Sequence, residues 1–148
     1  MIADLDDFKP INDSYGHQVG DDVIKVVASA LAGSVRETDL AVRFGGEEFV
    51  IVLPGARLAN ARRTADAIRT AIAQLEVANP RGEPISLTAS FGIAEFPTYA
   101  TPEALLAAAD AALYQAKRAG KNRVATSTVY DDGLGDEPGT AGVPVPVL

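Results

Sequence analysis

Across residues 21–35 the apolar side chains of Ile24, Val27, Ala28 and Leu31 recur at the three- and four-residue spacing that lines one face of a helix. Residues 59–75 repeat the pattern with Ala61, Ala65, Ile68, Ile72 and Leu75. A third helix is predicted over residues 101–117. Thr101 offers a side-chain oxygen to the first free N–H groups, Pro102 suits a position that needs no N–H partner, and Glu103 places negative charge at the positive end. Gly120 stops that helix. Shorter runs at residues 2–5, 40–44, 49–53 and 85–96 read as strands, with Gly92 marking a bulge in the last. Gly45-Gly46 turns a hairpin and Pro54-Gly55 closes it. Residues 7–15 carry the turn or helix-start signals Lys9-Pro10 and Asn12-Asp13, Asn79-Pro80 with Gly82 reads as a loop, and residues 122–125 add a final strand. This order predicts the α/β class, an α+β sandwich with a largely antiparallel sheet flanked by helices. From Thr126 onward the chain is rich in Gly, Pro and Val without a period, so one domain is expected at residues 1–125 and a disordered tail at 126–148.

The 148 residues, 47% of them hydrophobic, suffice for one domain with a buried core. No apolar run approaches the roughly 18 residues that span a bilayer. There is no cysteine, hence no disulfide framework and no thiolate metal site, and a cytoplasmic location is expected. The net charge of −7 is concentrated at the end of the chain: Asp131, Asp132, Asp136 and Glu137 all follow the last basic residue, Arg123. The remainder is close to balanced, which argues against a nucleic-acid backbone binder with its basic stripe. A single nucleotide needs only a few placed cations and a metal.

Two acidic groups suggest such a site. Asp4 and Asp6 alternate at the end of the first strand, which puts them on one face. Glu47 and Glu48 follow the Gly45-Gly46 turn. If the two strands are neighbours, three or four carboxylates converge and repel unless a cation stands between them. A hard divalent ion such as Mg²⁺ fits, since it binds a couple of carboxylates together with substrate phosphates. Gly45 and Gly46 allow backbone to approach a bulky anion. Taken singly, these residues have plainer readings: solvated acids, a common hairpin turn, Asn12 as a cap, Asp21 as a helix N-cap, Lys117 and Lys121 as a cationic helix end.

Four blocks, in order, resemble the GGDEF family of nucleotidyl cyclases. Asp4-Leu5-Asp6-Asp7-Phe8-Lys9 with Ile11-Asn12-Asp13, Gly16-His17 and Gly20-Asp21 is similar to the opening signature. Arg43-Phe44-Gly45-Gly46-Glu47-Glu48-Phe49 resembles the name-giving motif in its GGEEF form. Ser90-Phe91-Gly92-Ile93-Ala94 is similar to the late strand. Residues 109–117 with Gly120-Lys121-Asn122-Arg123 resemble the closing signature. The resemblance implies a polymerase-palm fold like that of class III nucleotide cyclases, and condensation of two GTP into cyclic di-GMP across a homodimer. It implies two Mg²⁺ ions, with Mn²⁺ as an alternative, held by Asp4, Glu47 and the Leu5 carbonyl. Glu48 would be a metal neighbour or the base for the 3′-hydroxyl. Asn12 and Asp21 would read the guanine edge, and Lys117 and Lys121 would hold the β/γ-phosphates from one side of the last helix end, four residues apart. Phe8 would serve packing and Lys9 would support the phosphate loop. Arg36-Glu37-Thr38-Asp39, five residues ahead of the motif, resembles the family's product-inhibition site, with Arg36 and Asp39 as ligands of cyclic di-GMP.

The family domain carries an Asp-x-Leu-Thr-x-Leu-x-Asn-Arg segment and a helix before its first strand, whereas Asp4 here follows only three residues. An uncovered apolar sheet face and an open pocket wall are therefore expected. Besides an active cyclase, a non-catalytic receptor for GTP or cyclic di-GMP is consistent with that departure, and a different nucleotidyl cyclase on the same palm is the third reading. Asn12 with Asp21 favours guanine.

Overall fold

The computed structural model describes residues 1–99 and 101–127. Its order is β1 (Ile2–Leu5), α1 (Phe8–Tyr15), α2 (His17–Ser34), β2 (Leu40–Gly45), β3 (Glu48–Val52), α3 (Leu58–Ala73), β4 (Val77–Ala78), β5 (Pro84–Ile85), β6 (Ala89–Ile93), α4 (Pro102–Arg118) and β7 (Val124–Thr126). Five strands form the central sheet in the order β2-β3-β1-β6-β7. All neighbours are antiparallel except β6 and β7, so the sheet is mixed, largely antiparallel as expected.

Alternation along β1 sorts the core into two layers. Ala3 and Leu5, with Phe49, Ile51, Phe91 and Ile93, face α2 and α3, whose stripes Val23, Val27, Leu31 and Ala61, Ala65, Ile68, Ile72 form the main core. Ile2 and Val50 face the other way and meet Ala109 and Leu113 of α4. That second face is covered by α4 at its β1–β6–β7 end. Toward β2, the cross-strand pair Leu40 and Val52 stands open to solvent, at 55% and 47% exposure, with Val42 beside it. The face is therefore uncovered only over its β2–β3 part. Beside it runs a groove of about 580 Å³ whose lining includes Met1, Val50, Val52, Leu58, Phe96 and Leu106, and none of the acids at the sheet end.

Several expectations are corrected. Residues 8–15 form a full helix. Pro10 falls in its first turn, where the N–H has no intrahelical partner to lose. α2 begins at His17, earlier than the periodicity suggested, because Gly16 (φ 87) turns the chain and starts the new helix at once. The 85–96 run is divided: β5 pairs with β4 in a small hairpin around Asn79, and only residues 89–93 join the central sheet. Gly92 is no bulge. It pairs regularly with Ile2, and a Cβ there would lie 2.0 Å from the Ala109 carbonyl oxygen and 2.3 Å from the Leu113 nitrogen. Glycine at this position lets the α4 backbone rest on the sheet. The register shift lies instead between Arg43 and Gly45. β7 continues through Thr126, and the Ser127 N–H still reaches the Ile93 carbonyl at 2.7 Å. The rest of the expected tail, 128–148, lies outside the described residues.

Candidate nucleotide and metal site

Asp4 and Glu48 are direct cross-strand partners on β1 and β3, so their side chains share the α4 face of the sheet. The Leu5 N–H donates to the Glu47 carbonyl at 3.3 Å, and this ties the hairpin to the end of β1. The turn itself is braced by Arg43, whose Nε and Nη2 donate to the Gly46 carbonyl at 2.9 and 2.7 Å. From α4, the Lys117 ammonium donates to Asp4 Oδ1. Burial pushes the Asp4 carboxyl above the usual aspartate range. Lys117 pulls it down through its hydrogen bond and charge, and Glu47 and Glu48 push it up again.

The convergence is narrower than alternation suggested. Asp6 lies past β1, 5% exposed, and its carboxylate accepts from Thr88 Oγ1 (2.8 Å), Ser90 Oγ (2.8 Å) and the Asn122 N–H (2.9 Å). Its oxygens are committed to structure. Among the described residues no three His, Cys, Asp or Glu side chains are grouped closely enough to cage a metal by themselves. A magnesium ion usually binds one or two carboxylates together with substrate phosphates. The donor set of Asp4, the Leu5 carbonyl and Glu47 is all hard oxygen. Asp4 is a desolvated anion flanked by two further acids and already drawing in a cation, so the residues fit such an ion.

Asn12 packs against Gly20, the residue preceding Asp21, where α1 meets α2. A Cβ on Gly20 would lie 1.9 Å from Asn12 Oδ1 and 3.2 Å from Phe8 Cζ, so glycine lets the Asn12 amide lie against α2 beside Asp21. Phe8 is buried beneath this corner, while Lys9 and Asp21 are exposed. Lys121 departs from expectation. α4 ends at Arg118, and Lys121 sits in the following turn with φ 61, so helical spacing does not align it with Lys117. It nonetheless faces the same end of β1, where its Nζ donates to Asp7 Oδ1 at 2.6 Å. Arg36 and Asp39 fold on each other. Asp39 Oδ2 accepts from the Arg36 N–H at 2.8 Å and from Arg36 Nε at 3.3 Å. Asp39 Oδ1 is buried without a protein partner.

The residues not foreseen are those that hold others in place: Arg43, Asp7, Asn122 and Arg69, whose Nη1 donates to Asn122 Oδ1 at 2.9 Å. Asp7, Arg43 and Asn122 lie inside the signature blocks. No sequence signal marks Arg69, which sits 53 residues from its partner.

A model of the family described as "Diguanylate cyclase, GGDEF domain" matches residues 1–123. The diguanylate cyclase DgcP of Pseudomonas aeruginosa is 45% identical over 123 residues, 83% of this chain and 18% of that protein. The response regulator PleD of Caulobacter vibrioides is 44% identical over 127 residues, 84% of this chain and 28% of that protein. The chain thus spans under a third of the length of these curated relatives. The GGDEF domain of DgcB from Caulobacter crescentus, in complex with c-di-GMP, superposes with a TM-score of 0.81 at 35% identity, covering 85% of this chain and 75% of that one. The active GGEEF domain of a diguanylate cyclase from Vibrio cholerae gives 0.78 at 30% identity, covering 86% and 81%. The mixed sheet with its flanking helices is the palm-like fold of these domains, and the chain belongs to the GGDEF domain family.

Proposed function

We propose that this domain is a diguanylate cyclase module that binds one GTP and, facing a second copy, condenses two GTP into cyclic di-GMP. The observation that carries the reading is the placement of Asp4 directly opposite Glu48 on adjacent strands, with Lys117 reaching Asp4 from α4. Anionic metal ligands and a phosphate-neutralising cation thereby share one end of the sheet. The Asn12–Asp21 corner supplies a guanine reader: the Asp21 carboxylate accepts from N1–H and N2–H, and the Asn12 amide can both donate and accept. Lys117 and Lys121 balance the β- and γ-phosphates, and Gly45-Gly46 gives the chain room beside them. Asp4, Glu47 and the Leu5 carbonyl would hold Mg²⁺, which when bound supplies charge neutralisation at the phosphates.

In each half-reaction the 3′-oxygen of one GTP bonds to the α-phosphorus of the other. The bond from that phosphorus to its β-bridging oxygen breaks, pyrophosphate leaves, and Glu48 accepts the hydroxyl proton. The protein's contribution is positioning across the dimer together with fixed charge. Incubation with GTP and Mg²⁺, followed by chromatography, should yield cyclic di-GMP, and Glu48→Ala should abolish it. Product formation from ATP at equal rate, or activity retained in Glu48→Ala, would contradict the reading.

The buried, unpartnered Asp39 Oδ1 favours a second role at the Arg36–Asp39 turn, the binding of product away from the metal. Because Arg36 and Asp39 are bonded to each other, that binding must open their pair. Arg36→Ala should weaken cyclic di-GMP binding and leave GTP binding intact, which calorimetry with both ligands would check.

A further inference from the structure

Asp7 (φ 55), Lys121 (φ 61) and Asn122 (φ 44) are the non-glycine residues with left-handed backbone among the described residues, and they meet at one place. The turn after β1 and the turn after α4 are bonded residue to residue. Asp6 accepts from the Asn122 N–H at 2.9 Å, and Asp7 accepts from Lys121 Nζ at 2.6 Å. Left-handed backbone is unfavourable for a side chain such as lysine and persists only where the surroundings over-determine it. Here they do. The Lys121 N–H reaches the Ala116 carbonyl at 3.1 Å, the Lys121 carbonyl accepts from Arg123 Nε at 3.0 Å, and Arg69 of α3 holds the Asn122 side chain.

Asp6 is the pivot of this arrangement. A buried carboxylate is costly unless its lone pairs are filled, and this one is filled by two hydroxyls of the β6 segment and one main-chain N–H of the α4 turn. The hydroxyls anchor it to the sheet, so the third bond transmits the sheet's rigidity to the turn. The Lys121–Asp7 pair is exposed on both sides, at 43% and 63%, and such a pair is weak enough for the ammonium to be shared with an incoming phosphate.

We propose that Asp6 is a positioning residue for polyphosphate: through Asn122 it locks the left-handed turn that aims Lys121 at the carboxylate end of β1. This rests on the GTP reading above and adds to it a residue that touches no nucleotide.

The test is a double-mutant cycle on binding of GTP and GMP with Mg²⁺, read by calorimetry on folded protein. Asp6→Asn replaces an all-acceptor group by one that turns donors toward donors. It should weaken GTP about tenfold, as loss of a charge-assisted hydrogen bond does, and leave GMP, which lacks the β- and γ-phosphates, within about twofold. In a Lys121→Ala background the same change should cost under about twofold. Equal losses in both backgrounds, or equal losses for GTP and GMP, would overturn the proposal, since Asp6 would then act on the fold rather than through Lys121. If Asp6→Asn does not fold, Thr88→Val removes a hydroxyl that anchors the Asp6 oxygen bonded to the Asn122 N–H, and so loosens the same tether. It should weaken GTP about threefold and only where Lys121 is present; independence from Lys121 would again overturn the proposal. Failure of the unmutated chain to bind GTP would remove the underlying reading and this proposal together, whereas normal GTP binding with independent effects removes the proposal alone.

Discussion

Asp4 is 13% exposed at its side chain, flanked by Glu47 and Glu48, and relieved only by Lys117. Its carboxyl is held above the usual range, so over the interval just above pH 3.8 the folded chain binds more protons than the unfolded one. Stability contributed by the protonated form is therefore lost as pH rises through that interval, and the ionised form is a net burden on the metal-free fold. Asp4→Asn should then raise the melting temperature slightly at neutral pH while removing Mg²⁺-dependent GTP binding. Thermal melts and calorimetry on the same variant check both halves. Acidification should weaken that binding at a higher pH than an ordinary aspartate would dictate, because protons compete with the metal. At the guanine corner, Asp21→Asn trades an acceptor for a group that also donates. Discrimination of GTP over ATP should fall by roughly one to two decades, as expected for one charge-assisted hydrogen bond. Competition binding measures it. The sequence made Asp4 and Glu48 legible, because strand alternation and a hairpin turn are local signals. Alternation alone could not separate Asp4 from Asp6, and only the family resemblance singled out Asp4 as a ligand. Their difference lies in Thr88, Ser90 and Asn122, brought to Asp6 only by the fold.

Among the elements, α4 carries Lys117 and is seated by Gly92. Gly92→Ala would drive a Cβ into helix backbone rather than into a side chain that can move. It should destabilise the domain by about 1–3 kcal/mol, the usual range for overpacking, and weaken GTP binding as Lys117 shifts from Asp4. Denaturant unfolding gives the first number and calorimetry the second. α2 and α3 were readable from apolar spacing, and α4 from its start signals: Thr101 Oγ1 accepts from the Ala104 N–H at 3.1 Å as expected. What stayed hidden was short or context-bound. α1 is eight residues long with turn-forming residues throughout, and the β4–β5 hairpin pairs only two residues on each strand, too few to show a period. The role of Gly92 is visible only once a helix lies on it. Lys121 shows the same limit in reverse, since its four-residue spacing from Lys117 resembles a helical pair while the backbone between them has already left the helix.

For the whole molecule, the sheet separates duties. The α2–α3 face holds the main core, and the opposite face presents the acids at one end and an open apolar stretch at Leu40, Val42 and Val52. No helix among the described residues is long and apolar enough to cross a membrane. The proposed chemistry needs two such domains, because a 3′-hydroxyl held by one must reach an α-phosphate held by the other. The domain as described presents a single acid-bearing end to offer a partner. The rate should therefore follow encounter between copies while GTP binding does not. The most direct measurement is initial cyclic di-GMP production from GTP and Mg²⁺ over a wide range of protein concentrations. The account predicts cyclic di-GMP at a rate rising more steeply than linearly with concentration, alongside concentration-independent GTP affinity. A rate per chain that stays constant down to dilutions where only monomer is present would contradict it.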